Sequence, residues 1–210
     1  MPNFLRTLVS AAAIFAASLI CTATPTPAPS AEAAKPLAVG ARAPAITLTD
    51  SEGAKVDLGA AFAAKPTVLV FYRGSWCPFC NRQLAALGEL EPKLEALGFQ
   101  IIAISPDTAE GLKKMAGKNH LNYQLLSDHA MDASIAYGTA FRVPDAMKQA
   151  YHERGIDLAP IPGGNGAWLP VPTVYLVGRD GVIKFVYSNP DYKVRLSSDD
   201  LLAAAQKAAR

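Results

Sequence analysis

The run Thr67-Val68-Leu69-Val70-Phe71-Tyr72 is apolar without alternation, the pattern of a strand covered on both faces of a sheet. Downstream, Leu84, Leu87, Leu90, Leu94 and Leu97 recur at three- and four-residue spacing, which predicts an amphipathic helix over 81–97 stopped by Gly98. Residues 99–105 form a second buried run, followed by a predicted helix at 107–118, a short strand at 123–127 and a short helix at 132–137. Before these, 45–49 and 54–58 flank Asp50-Ser51-Glu52-Gly53 and predict a hairpin; 173–177 and 182–187 do the same around Gly178-Arg179-Asp180-Gly181. Residues 141–172 are less regular, with a helix over 145–154 and then a loop through Pro160, Pro162, Gly163, Gly164 and Gly166. The last helix, 198–209, has Ser197 or Ser198 as its cap and Asp199 and Asp200 in its first turn. This order of elements implies a single α/β domain with parallel central strands and an antiparallel edge.

The N-terminus follows a different pattern. Arg6 precedes a short apolar stretch from Leu8 to Ile20, and small residues and prolines follow, as in a signal peptide. The stretch is shorter than the ~20 apolar residues needed to cross a bilayer, so no membrane span is expected in the mature chain. Small-x-small cleavage sequences occur at Ala31-Glu32-Ala33 and, less clearly, at Cys21-Thr22-Ala23. Taking the first divides the chain into a signal peptide at 1–33, a flexible leader at 34–38 and a domain at 39–210, exported to the periplasm. Ile20 occupies the place where lipid attachment to Cys21 would require a small residue. Of 210 residues, 50% are hydrophobic and 18% charged, enough for one substantial core. A net charge of +2 with scattered basic residues argues against nucleic acid or an anionic membrane surface as partner.

Removal of the signal peptide leaves Cys77 and Cys80 as the cysteines of the mature chain. They lie in Trp76-Cys77-Pro78-Phe79-Cys80, where the first buried strand gives way to the leucine-spaced helix. Helix N-terminal amides stabilise a thiolate there, so the pair reads as a catalytic redox couple. Two cysteines on one turn staple nothing large, which disfavours a structural disulfide. Arg73 and Arg82 bracket the motif as candidates for lowering a thiol pKa, and Trp76 reads as a shielding residue. Zinc would need further ligands, and His120, His129 and His152 are scattered. Gly163-Gly164-Asn165-Gly166 lacks the Lys-Ser/Thr and the flanking elements of a phosphate loop, and reads instead as a loop near the site. No metal and no cofactor are expected.

Beyond the motif, Ala43-Pro44-Ala45-Ile46-Thr47-Leu48, Ala103-Ile104-Ser105-Pro106, Val171-Pro172-Thr173 and Asp191-Tyr192-Lys193-Val194-Arg195-Leu196 complete a resemblance covering 39–210. In these segments the chain resembles the thioredoxin-like superfamily, specifically the peroxiredoxin-like branch of the AhpC/TSA proteins. The resemblance implies a thioredoxin-like fold, a mixed central sheet flanked by helices with an N-terminal β-hairpin. It implies a thiol-dependent peroxidase acting on hydrogen peroxide or organic hydroperoxides and regenerated by an external dithiol donor; the alternative is a protein thiol-disulfide oxidoreductase. In thioredoxin register Cys77 is the exposed attacking thiol, Cys80 resolves, and Pro172 and Thr173 belong to a cis-proline loop facing the motif. In peroxiredoxin register Cys80 takes the attacking position, Cys77 stands where that family has threonine and Arg73 where it has proline. The arginine that peroxiredoxins keep beside the sulfur has no evident match before Thr173, and Arg195 is expected in a surface ion pair.

Overall fold

The N-terminal hairpin forms as its turn chemistry predicts. In the computed structural model, which describes residues 26–119, 121–158 and 166–209, β1 (Thr47–Asp50) pairs antiparallel with β2 (Lys55–Asp57). The Asp50 carboxylate accepts from the backbone of Glu52 and Ala54, and Gly53 takes φ +88°. A short helix that the hydrophobic pattern does not reveal follows, α1 (Leu58–Ala64), capped by Asp57, whose Oδ1 accepts from the Ala60 amide at 2.7 Å. Its sequence is nearly all small or apolar, so it carries no polar face to mark the period, although it buries Leu58 and Phe62.

The sheet is completed by β3 (Thr67–Phe71), β4 (Gln100–Ser105), β5 (Gln124–Ser127), β8 (Thr173–Val177) and β9 (Ile183–Ser188). Its order is β2-β1-β5-β4-β3-β8-β9, with β3, β4 and β5 mutually parallel and the other pairings antiparallel. This is the expected mixed sheet. Every residue of β3 is buried because each face has its own core. Val68 and Val70 meet Leu84, Leu87, Leu90 and Leu94 of α2 (Pro78–Ala96) and Leu201 of α6 (Ser198–Ala208). Leu69 and Phe71 point the other way, toward Leu58, Phe62, Tyr137 and Tyr175. The alternation is hidden in the sequence because both faces are dry.

Between β4 and β8 the chain forms α3 (Ala109–Asn119), α4 (Asp132–Ala136), β6 (Ala140–Arg142), α5 (Asp145–His152) and β7 (Trp168–Pro170), with β6 and β7 paired as a separate ribbon. That ribbon was not legible in the irregular 141–172 region. Buried Asp128 organises the turn into α4: it accepts from the amides of Ala133 and Ser134 at 2.9 and 2.7 Å and from the Ser134 hydroxyl at 2.7 Å. Asp128→Ala removes these acceptors and leaves buried donors unpaired, so urea denaturation is expected to report a loss of about 3 kcal/mol. A loss below about 1 kcal/mol would show that the turn holds without the carboxylate.

Two expectations fall elsewhere. Residues 34–38, expected to be a flexible leader, are instead fixed to the domain. The Lys35 and Leu37 amides donate to the carbonyls of Gly138 and Tyr137, and Leu37 packs on the second core. Their small and proline-rich composition gives no periodic signal for such docking. Most of the expected signal peptide, including Cys21, lies outside the described residues, as do His120 and residues 159–165 of the glycine-rich loop. Among the described residues no helix is long and apolar enough to cross a membrane.

Candidate active site

The end of β3 delivers the cysteines to the start of α2. Gly74 makes the turn at φ +145°, and a Cβ there would stand 2.5 Å from Trp76 Nε1, so the chain can fold over the indole only with glycine. Asp107, two residues past the end of β4, fixes the next residue by accepting from the Ser75 amide at 2.8 Å and from its hydroxyl at 3.1 Å. Asn81 closes the loop from the helix side, its Nδ2 donating to the Ser75 carbonyl at 2.8 Å. Cys77 then occupies the N-cap of α2 in extended backbone, Pro78 fills the first turn where no amide partner is needed, and Cys80 lies one turn further in.

Both cysteines are free thiols and both are buried, Cys77 1% exposed and Cys80 fully enclosed. The exposed attacking thiol implied by the thioredoxin register is thus corrected: both sulfurs belong to the core cluster against which Trp76, Phe79 and Tyr192 pack. The two sulfurs differ in charge state. Cys77 is pulled down to about 6, first by a hydrogen bond from the Cys80 thiol and then by the Cys80 backbone and the charges of Arg73 and Arg195, which together outweigh its burial. Cys80 is pushed up, chiefly by burial and by donating to Cys77. The electrostatics of the pair therefore favour the thiolate on Cys77, at the helix N-terminus, and the proton on Cys80.

Two arginines frame the pair. Arg73 is buried at 3% exposure, and no carboxylate pairs with it among the described residues. It is held instead by aromatic groups, donating to the Tyr151 hydroxyl and lying 3.8 Å from the Tyr192 ring centroid, 5.1 Å from Trp76 and 5.5 Å from Tyr151. Weakly hydrated guanidinium tolerates such a setting, and its charge remains unneutralised beside Cys77. Arg195 corrects the expectation of a surface ion pair. It is half-buried and donates from Nη2 to Cys80 Sγ at 3.2 Å, from Nη1 to Gln83 Oε1 at 2.8 Å and from Nε to the Tyr192 carbonyl at 2.7 Å. An arginine beside the sulfur is present after all, supplied from beyond β9 instead of from before Thr173.

The remaining expected residues divide. Trp76 is half-buried and packs its ring 5.1 Å from that of Tyr151, in keeping with a shielding role. Pro172 is buried beside Arg73 and Tyr192 on the wall of a cavity, but no peptide bond among the described residues is cis, which corrects the cis-proline expectation. Thr173 begins β8 opposite Phe71, and its hydroxyl pairs with the Val171 carbonyl and with Ser188. Arg82 lies over the Phe79 ring at 4.5 Å, while His129 and His152 are exposed. Sequence reasoning missed Tyr151, Tyr192 and Asp107. A buried arginine without a carboxylate was the signal that needed aromatic partners, but only the fold identifies which.

Comparison with known proteins agrees with this geometry. A family profile described as AhpC/TSA family matches residues 39–186. Peroxiredoxin Q, chloroplastic, of Oryza sativa subsp. japonica is 28% identical over 200 residues, covering 90% of this chain and 80% of its own length. Thiol-disulfide oxidoreductase ResA of Bacillus thuringiensis subsp. konkukian is 25% identical over 146 residues, covering 69% of this chain and 66% of its own. Among solved structures, peroxidoxin BcpB from Mycobacterium tuberculosis superposes with a TM-score of 0.62 at 20% identity, over 80% of this chain and 96% of that one.

Proposed function

The chain belongs to the AhpC/TSA family, and from that membership together with the Cys77–Cys80 geometry we propose a thiol-dependent peroxidase in which Cys77 attacks and Cys80 resolves. The observation that carries the assignment of roles is the position of Cys77 at the N-cap of α2 with Cys80 fully enclosed one turn inside, and the downward pull on Cys77 and upward push on Cys80 point the same way. The thiolate attacks the terminal peroxide oxygen, the O–O bond breaks, and the departing alkoxide or hydroxide takes a proton as Cys77 becomes a sulfenic acid. The Cys80 thiol, as thiolate, then attacks the Cys77 sulfur, expelling water and forming the disulfide. Two electrons from an external dithiol donor of thioredoxin type restore the pair. Deep burial of both sulfurs suits a small electrophile better than a folded protein disulfide.

Mixing the reduced protein with one equivalent of hydrogen peroxide is expected to consume it and to leave dimedone-reactive sulfenic acid on Cys77 when Cys80 is replaced by Ser. No consumption with either hydrogen peroxide or cumene hydroperoxide sinks the peroxidase. The second reading, a protein thiol-disulfide oxidoreductase, is favoured by the Trp76-Cys77-Pro78-Phe79-Cys80 sequence and the similarity to ResA. Insulin reduction faster than peroxide reduction would select it. The N-terminal pattern supports export to the periplasm after removal of a signal peptide.

A further inference from the structure

Residues 28–37 do more than join a leader to the domain. Ala28 bridges β6 in parallel register with Phe141: its amide donates to Ala140 O at 2.9 Å, and the Arg142 amide donates back to Ala28 O at 2.8 Å. The segment thus adds a third strand position to the β6–β7 ribbon. Ala31 and Ala34 pack against the small core of that ribbon, which holds Phe141, Tyr151 and Val171 and is also touched by Trp76. Further along, Lys35 and Leu37 donate to Gly138 and Tyr137. The approach at Gly138 is so close that a Cβ there would collide with the Lys35 carbonyl oxygen, and its φ of +69° also requires glycine. A passing leader would not need this fit.

The segment also reaches the chemistry. A cavity of about 480 Å³ opens beside the buried guanidinium, and Ala31 and Glu32 line it together with Arg73, Phe141, Pro172 and Tyr192. Two of its lining groups also belong to the surroundings of the cysteine pair: the Arg73 charge acts on Cys77, and Tyr192 packs against the core cluster that holds both sulfurs. Cutting after Ala33 would remove Ala28, Ala31 and Glu32 together, opening that wall and freeing one edge of β6. The alternative sequence Cys21-Thr22-Ala23 leaves all of them in place, with Thr24 as the first residue.

We infer that residues 28–37 are a working part of the domain, forming the wall of the cavity at Arg73, and that the signal peptide is therefore cut after Ala23 and not after Ala33. The inference about the cavity rests on the peroxidase reading, and the inference about cleavage rests on export. Alanine at 31 keeps the wall low enough for a bulky peroxide, so the segment sets selectivity between large and small hydroperoxides.

The test has two arms. The full chain is produced in a Gram-negative host and the N-terminus of the exported protein is sequenced: Thr24 is expected, and Ala34 overturns the cleavage assignment. If no processed protein appears, export itself fails and the wall is decided by the second arm. There, chains beginning at Thr24 and at Ala34 are compared with an Ala31→Phe variant of the longer one. The shorter chain is expected to melt roughly 5 °C lower, from the loss of the bridge and its packing. Ala31→Phe, which raises the wall, is expected to lose at least about fivefold in the ratio of kcat/KM for cumene hydroperoxide to that for hydrogen peroxide, which corresponds to about 1 kcal/mol, and the shorter chain, which lacks the wall, is expected to gain in that ratio. Equal melting temperatures, or an unchanged ratio in both proteins, overturn the wall. Absence of turnover with either peroxide in all three proteins counts against the peroxidase reading, and the melting temperatures then decide whether the segment belongs to the domain.

Discussion

Cys77→Ser is expected to lose at least about three orders of magnitude in peroxide turnover, the cost of replacing a thiolate nucleophile with a hydroxyl that stays protonated. Cys80→Ser is expected to behave differently. It keeps the first reaction, because the attacking sulfur remains, and stops after one equivalent of peroxide with Cys77 held as sulfenic acid. The asymmetry follows from the positions of the two sulfurs on α2: Cys77 is the N-cap residue, at the positive end of the helix, while Cys80 is fully enclosed one turn inside, where burial favours its protonated form. Intact-mass measurement after one equivalent of hydrogen peroxide decides the matter. An added oxygen on Cys80 in Cys77→Ser, with no reaction of Cys80→Ser, would reverse the roles and restore the peroxiredoxin register. In that case Arg195, already 3.2 Å from Cys80 Sγ, would be the activating charge.

How far the sequence carried this reading depends on where each signal was stored. The leucine spacing of α2 and the turn at Gly178-Arg179-Asp180-Gly181 are local, and both elements form where the pattern puts them. The cysteine pair was legible for the same reason, since a helix N-cap is defined by a few consecutive residues. Arg195 was not, because its contact with Cys80 spans 115 positions and is set by how the chain leaves β9 and turns back over α2. Residues 191–196 read in sequence only as a segment of the resemblance, with Arg195 in a surface ion pair, and they include both Tyr192, stacked on Arg73, and Arg195. Tyr151 on α5 is a similar case: nothing in its neighbourhood marks it as the partner of an arginine 78 positions away. The docking of residues 28–37 was hidden by composition, since alanines and prolines that bind by backbone hydrogen bonds and close approach look the same as alanines and prolines in a linker.

The rate of Cys77 alkylation by iodoacetamide is expected to rise with pH through a midpoint at about 6 and to level off above it, because the reactive species is the thiolate. The hydrogen bond from Cys80 is the foremost cause, so Cys80→Ala is expected to move the midpoint up most, and Arg73→Leu to move it up by less. Once the midpoint lies above 7, each further unit costs about tenfold in thiolate at neutral pH, and peroxide reactivity falls with it. Stability should follow with a definite sign. Lowering the folded value of Cys77 below the ordinary thiol value near 9 adds stability to the reduced protein that grows as pH rises from about 6 to about 9 and is lost as pH falls through about 6, while the upward push on Cys80 takes stability away above about 9. The oxidised protein has no such proton to exchange, so the difference in melting temperature between reduced and oxidised forms should shift in favour of the reduced form between about pH 6 and 9. Arg73→Leu should reduce that pH dependence. A merely structural arginine would lower both melting curves together and leave their difference and the alkylation midpoint where they were. Because Arg73 has aromatic rings and a hydroxyl around it in place of a carboxylate, its charge is left to act on the thiolate, and a shifted midpoint is the measurement that separates the two roles.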